Sequence, residues 1–239
     1  MASKLFRRSG NACALVCADQ LSDWKCDMMI QVGVGQEFQE IDVLQEEWGK
    51  FTLIGFEPHP EIIDNARRRY PGLLIASAVG SKEGTATLYS KRRHKDGSSL
   101  LPHKQKSGET YKTFEVPVTT LDITLGKDVL LHENILLWVD SEGMEIEVLL
   151  GAREIVKRVK IINVEMTANP PGEGWCSTTD LHDLLVEYGF YRQWIHTQRI
   201  HMGQYDGIYV RPELFKPSHC CCPYEIKRWK ENYETTQIH

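Results

Sequence analysis

The chain reads as an α/β domain in which a mostly parallel sheet carries helices on both faces. Three observations lead there. Between residues 28 and 214, short apolar runs alternate with segments of helical periodicity, the pattern of strands joined by crossover helices. Several of the runs end in glycine or in an acid, as "VGVG", "FE", "VD" and "VE" do. The length, 239 residues, suits one large domain or one and a half small ones, and is enough to bury a substantial core.

The elements follow in order. "MMIQVGVG" (28–35) is a short apolar strand ending in glycines. Residues 37–48 place Phe38, Ile41, Leu44 and Trp48 at helical spacing. A second strand spans 51–57, and a helix over 59–70 tolerates Pro60 in its first turn. A third strand is expected over 72–79, and "GTATLYS" (84–90) alternates like an exposed strand. Residues 91–110 are polar and irregular, and a loop that long is usually functional or mobile. Strand character returns over 113–121 and 135–140. A helix over 145–156, a strand over 159–165 and a helix over 179–188 come next. Strands at 191–196 and 207–211 close the domain as a hairpin.

The totals exclude some classes. Hydrophobic residues at 41% and charged residues at 26% are ordinary globular values, so neither disorder nor a fibre is indicated. A net charge of −5 argues against a general nucleic-acid binder, although "KRRHK" (91–95) is a local basic patch. No apolar run is long enough to span a bilayer. Lys4, Arg7 and Arg8 precede "ACALVCA" (12–18), which resembles a degraded secretory signal; a surface arm is the preferred reading. The cysteines are Cys13, Cys17, Cys26, Cys176, Cys220, Cys221 and Cys222, an odd and uneven set that suggests reduced thiols and a cytoplasmic protein. Adjacent cysteines in "HCCCP" rarely converge on one ion, so a plain tail is expected. The divisions are an N-terminal arm (1–27), a domain (28–215) and a C-terminal tail (216–239).

Gly33 and Gly35 let the backbone turn sharply and approach a ligand. Glu57 ends the second strand, where an acid accepts hydrogen bonds from ribose hydroxyls in nucleotide-binding sheets. A dinucleotide fingerprint would place a third glycine at position 38, where Phe38 stands. S-adenosylmethionine carries ribose and adenine without phosphate and needs only the looser turn. Asp140 and Glu165 end two further strands and Glu142 lies just beyond Asp140, so three acids converge on one sheet edge. Crowded carboxylates must be paired, protonated or metal-bound, or else cap a helix, as Asp140 or Ser141 would.

These residues resemble a known family, the FkbM-type S-adenosylmethionine-dependent methyltransferases. "VGVG", "FEP" (56–58) and the long block "DSEGMEIEVLLGA" (140–152) carry the likeness. "AVGSKEGTATLY" (78–89), "SSL" (98–100) and "VTTLD" (118–122) follow in the expected order. The likeness covers residues 30–211 and departs at two places. Gln31 stands where the family has an acid, and Glu37 where it often has glycine. The resemblance implies a Rossmann-like class I methyltransferase fold, a mostly parallel seven-stranded sheet with a C-terminal antiparallel hairpin. It implies S-adenosylmethionine held by Gln31, Gly33, Gly35, Glu57, Pro58, Ala78 and Asp140. It also implies O-methylation of a small molecule or sugar hydroxyl.

An alcohol nucleophile needs its proton removed by a carboxylate or His within hydrogen-bond reach. Asp140 is the first choice and Glu165 the second, with His196 facing the acceptor as a further candidate. Asp140, Glu142 and Glu165 also form a possible Mg²⁺ site, though a metal is not the expected cofactor. Glu145, at a helix start, is as readily structural. Trp175 in "NPPGEGW" is a possible wall for the acceptor; His94 and His103 are read as part of a solvated loop. Two other readings stay open: a nicotinamide oxidoreductase on a similar sheet, and a non-catalytic module that binds an adenosine ligand.

Overall fold

A computed structural model of the chain describes residues 21, 23–91, 95–102, 111–168, 172–196, 203–220 and 222–233. The first half contains β1 (Met28–Val32), α1 (Gln39–Trp48), β2 (Thr52–Phe56), α2 (Pro60–Arg67), β3 (Leu73–Ile75), β4 (Ala78–Val79), β5 (Gly84–Lys91) and β6 (Tyr111–Thr119). The second contains α3 (Leu121–Leu125), β7 (Ile135–Val139), α4 (Glu145–Leu150), β8 (Val159–Thr167), α5 (Thr178–Glu187), β9 (Tyr191–His196), β10 (Gln204–Val210) and α6 (Pro223–Asn232).

Seven strands form the main sheet in the order β3-β2-β1-β7-β8-β10-β9. From β3 to β8 every neighbouring pair is parallel; β10 runs antiparallel to both β8 and β9. This is the expected mostly parallel sheet with antiparallel closing strands. The strand order reverses between β1 and β7, and open sheets of this kind bind ligands beyond the carboxyl ends of the strands at such a reversal.

Apolar residues cover both sheet faces. Met29, Leu136, Trp138 and Ile161 pack against Ile41 and Leu44 of α1 and Ile62 and Ala66 of α2. On the opposite face Met28, Ile30, Val32, Leu137 and Val139 pack against Val148 and Leu149 of α4 and Leu181 and Leu185 of α5. The period of two along each strand distributes side chains between these layers. Three helices are started by local hydrogen bonds. His59, Thr120 and Ser177 accept from the backbone N–H groups of Glu61, Ile123 and Asp180, and Pro60 sits in the first turn of α2.

The structure departs from the pattern reading at three elements. The strand expected over 72–79 is two short strands in different sheets. β3 joins the main sheet, whereas β4 joins β5 and β6 in a three-stranded sheet ordered β4-β6-β5. The helix expected over 145–156 ends at Leu150 and resumes as a short 3₁₀ turn at Ile155–Lys157. Gly151 follows the last helical residue, and a Cβ there would lie 2.0 Å from the Gly80 carbonyl oxygen. The first helix begins at Gln39 rather than 37, leaving Glu37 free to line the site described below.

Beyond residue 215 the chain carries α6. Its Ile226 and Trp229 pack on the core, and the Trp229 indole donates to the Pro212 carbonyl at 2.8 Å. Glu225 is fully buried and pairs with Arg228 at 2.7 Å. The Cys26 thiol donates to the Met28 carbonyl at 3.1 Å, and among the described residues Cys176 and Cys222 are in no disulfide. No helix among the described residues is long and apolar enough to cross a membrane.

Candidate active site

Strand register brings the site together. Phe56, Val32, Val139 and Val164 form one aligned row across β2, β1, β7 and β8. Glu57, Gly33, Asp140 and Glu165 are the residues that follow them. Adjacent strands lie about 4.8 Å apart, so four residues far apart in sequence emerge side by side at one edge. Two contacts lock the seam at β1. The Asp140 N–H donates to the Val32 carbonyl at 2.9 Å, and the Gly33 N–H donates to the Phe56 carbonyl at 3.0 Å. Gly33 has φ +81°, and a Cβ there would fall 1.7 Å from the Asp140 carbonyl oxygen, so no side chain fits.

Glu57 holds the glycine turn. One carboxylate oxygen accepts from the Gly35 N–H at 2.8 Å and the other from the His59 N–H at 2.7 Å. Burial raises its pKa to about 6, against the lowering effect of those two N–H donors. Asp96, from the long polar loop, reaches over the same turn and accepts from the Gln36 N–H at 2.9 Å. Nothing in the sequence distinguished it from its solvated neighbours. Phe38, at the place of the missing third glycine, packs edge-on against Tyr70 with ring centres 5.3 Å apart.

Gln31 lies elsewhere than expected. It is buried, its amide donates to Glu40 at 2.5 Å, and it accepts from the Tyr70 hydroxyl at 3.1 Å. Its side chain therefore bridges β1, α1 and Tyr70, and it does not line the cavity. Burial raises the Glu40 pKa to about 7, with hydrogen bonding from Gln31 opposing and Asp42 and Asp206 adding.

The turn after β7 is built around Glu145. Its Oε1 accepts from the Ser141 N–H at 3.2 Å, the Ser141 hydroxyl at 3.2 Å and the Gly143 N–H at 3.0 Å. Its Oε2 accepts from the Cys176 thiol at 3.1 Å. This carboxylate is the clamp of the turn, which answers the ambiguity left by its position at a helix start. Neither Asp140 nor Ser141 caps α4; Met144 occupies the cap without a side-chain bond. Trp175 lies against Gly143, where a Cβ would meet the indole at 2.5 Å. It supports this turn instead of walling the cavity. Between them Glu142 adopts φ 51°, a left-handed conformation uncommon outside glycine and costly enough to need such support. The Ser99 hydroxyl adds a bond to the Glu142 carbonyl at 2.6 Å.

Carboxylate oxygens of Asp140, Glu142 and Glu165 lie within 4.8 Å of one another. Glu165 is 6% exposed, and its Oε2 is sealed from solvent with no hydrogen-bond partner among the described residues. Burial holds its pKa well above the carboxylate range, with Asp140, Glu142, Glu145 and Asp206 adding repulsion. His196 ends β9 and its backbone pairs with Asp206, which in turn pairs with Glu165. It stands two strands from Glu165. His94 and His103 lie outside the described residues.

A cavity of about 540 Å³ opens at this edge, within the usual range for small-molecule sites. Gly33, Gly35, Glu57, Pro58, Ala78 and Asp140 line it together, as does Glu142. One wall comes from the polar loop through Lys91, Lys95, Asp96 and Leu100. The donor set suits an adenosyl ligand: a tight glycine turn, an acid at the second strand end and apolar surface from Ile62, Val79 and Leu88.

The fold is an α/β domain of the methyltransferase class. The Methyltransferase FkbM domain matches residues 25–196, and the chain belongs to that family. Its cofactor is S-adenosylmethionine. Among solved structures the chain is similar to magnesium protoporphyrin IX methyltransferase from Synechocystis PCC 6803, at 10% identity over 82% of this chain and 74% of that one, with a TM-score of 0.45. It is also similar to Aeropyrum pernix fibrillarin, at 10% identity over 83% and 73% with a TM-score of 0.45. A third is precorrin-6y C5,15-methyltransferase from Geobacter metallireducens, at 13% identity over 88% and 92% with a TM-score of 0.44. No curated protein matches the chain.

Proposed function

We propose that this protein transfers a methyl group from S-adenosylmethionine to a hydroxyl oxygen of a small molecule or sugar. One observation carries the reading: Gly33, Glu57 and Asp140, from three different strand ends, line the same cavity. Glu57 is the ribose ligand. Its carboxylate is already oriented by the Gly35 and His59 N–H groups and keeps lone pairs for two hydroxyls. Gly33 and Gly35 admit the cofactor close to the backbone, Pro58 and Ala78 add cavity wall, and Asp96 secures the turn from above.

When bound, the sulfonium supplies an electrophilic methyl group. The protein's contribution is then alignment of the acceptor oxygen, worth up to about 7–11 kcal/mol in favourable cases, and removal of its proton. Asp140 takes the proton in this reading, which its place in the cavity lining with Gly33 supports. Glu165 stands behind it, its carboxyl pushed well above the usual range first by burial and then by Asp140, Glu142, Glu145 and Asp206.

The test is methyl transfer from methyl-labelled cofactor across a panel of sugars, alcohols and phenols. Label in an ether product is the expected result. Label on nitrogen or carbon acceptors alone would overturn the hydroxyl assignment. Cofactor binding without turnover on any acceptor would favour a binding module.

A further inference from the structure

The carboxylates of Asp140, Glu142 and Glu165 have no common purpose in methyl transfer by a general base, which needs only one. Their oxygens nevertheless gather within 4.8 Å of one another. The backbone is shaped to keep them there. Glu142 is held at positive φ, Gly143 is compressed under Trp175, and Glu145 gathers the N–H groups of the turn so that Asp140 and Glu142 both project at the sheet edge. Ser99 secures the Glu142 carbonyl from the opposite side.

Glu165 provides the independent sign of a ligand. It is more than nine-tenths buried, yet Oε2 has no hydrogen-bond partner among the described residues. A carboxylate oxygen stripped of water and left without a donor is costly unless a cation meets it. All three donors are hard carboxylate oxygens, with no sulfur or imidazole among them, which selects Mg²⁺, Mn²⁺ or Ca²⁺ over Zn²⁺ or copper. Bonds of about 2.1–2.4 Å around such an ion place its ligand oxygens roughly 3.0–4.8 Å apart, and the observed cluster falls within that span.

We infer that Asp140, Glu142 and Glu165 form a binding site for one hard divalent cation at the floor of the cavity. Because Asp140 and Glu142 also line the cavity, the positions of the ion not taken by protein face the space where an acceptor sits. The ion would bind the acceptor hydroxyl oxygen and favour its ionised form. That role rests on the methyl-transfer reading above; the binding site itself does not.

The experiment is titration of the full chain with Mn²⁺, followed by the loss of its free electron paramagnetic resonance signal, for wild type, E165Q and E142Q. One ion per wild-type chain is expected, displaced by excess Mg²⁺ or Ca²⁺, with affinity reduced about tenfold or more in each variant. Thermal melting supplies the folding control. E165Q without metal should melt no lower than wild type, since it removes a buried acid, and only wild type should gain stability from Mn²⁺. Absence of a stoichiometric site in wild type, or Mn²⁺ binding unchanged in both variants, would overturn the inference. A chain that binds Mn²⁺ at these residues but never binds S-adenosylmethionine would overturn the proposed function and leave the cation site standing.

Discussion

The two halves of the site solve opposite problems with the same residue type. At the β1–β2 edge the buried Glu57 has both oxygens bonded to backbone N–H groups, and the glycine turn is tied down from two directions. At the β7–β8 edge Glu165 keeps an oxygen without a partner among the described residues, beside two further acids. The first half is a finished binding surface, satisfied before any ligand arrives. The second retains unspent electrostatic tension, as reactive centres commonly do. The proposed function gives affinity to the first edge and chemistry to the second.

The largest effect is expected where the chemistry lies. Asp140→Asn should cut turnover by about 10²–10⁴-fold, the usual contribution of a general base, while cofactor affinity stays within about threefold. Steady-state kinetics paired with equilibrium binding checks this; equal losses in both would merge the two edges into one. Gly33→Ala strikes the seam between them. Positive φ and the close approach of the Asp140 carbonyl leave no room for a methyl group, so denaturant unfolding should show a loss of about 2–4 kcal/mol. A variant as stable as wild type would mean that the seam is looser than described.

At the binding edge, Glu57→Gln should weaken cofactor binding by about 1–3 kcal/mol with little change in the rate of bound substrate. The pH dependence has a definite sign. If the ionised Glu57 binds the ribose as proposed, its pKa near 6 means that affinity should be level above pH 7 and fall as the acid is protonated. The loss should be about tenfold by pH 5, and Glu57→Gln should remove that dependence. The smallest effect belongs to Glu40, outside both edges. Its pKa of about 7 lies above the unfolded value, so the native state binds the extra proton and stability falls as pH rises from 4.5 through 7. Glu40→Gln keeps an acceptor for Gln31 and should stabilise the protein by on the order of 1 kcal/mol at pH 8, with no gain at pH 4. Melting temperatures at the two pH values check the difference.

The strand ends were legible because apolar runs terminate sharply at Gly33, Glu57 and Asp140, and parallel register does the rest, whereas β8 runs past Glu165 to Thr167. What depends on partner choice was hidden. An apolar run over 72–79 carries no mark where the chain leaves one sheet for another, and the spacing of 145–156 is helical although the helix stops at Leu150. Long-range side-chain pairs were equally silent. Gln31 looks like a weakened cofactor ligand until Glu40 and Tyr70 are seen to engage it, and Asp96 looks like loop solvation until it closes over Gln36. Glu145 and Trp175 belonged to a recognisable block, but their work of holding Glu142 at positive φ is a three-dimensional fact.

Calorimetric titration of wild type, Asp140→Asn and Glu57→Gln with S-adenosylhomocysteine tests the division between the two edges most directly. One site in wild type, nearly unchanged in Asp140→Asn and weakened at least about fivefold in Glu57→Gln, is the expected result. Undiminished binding by Glu57→Gln, or no binding by wild type at all, would contradict it.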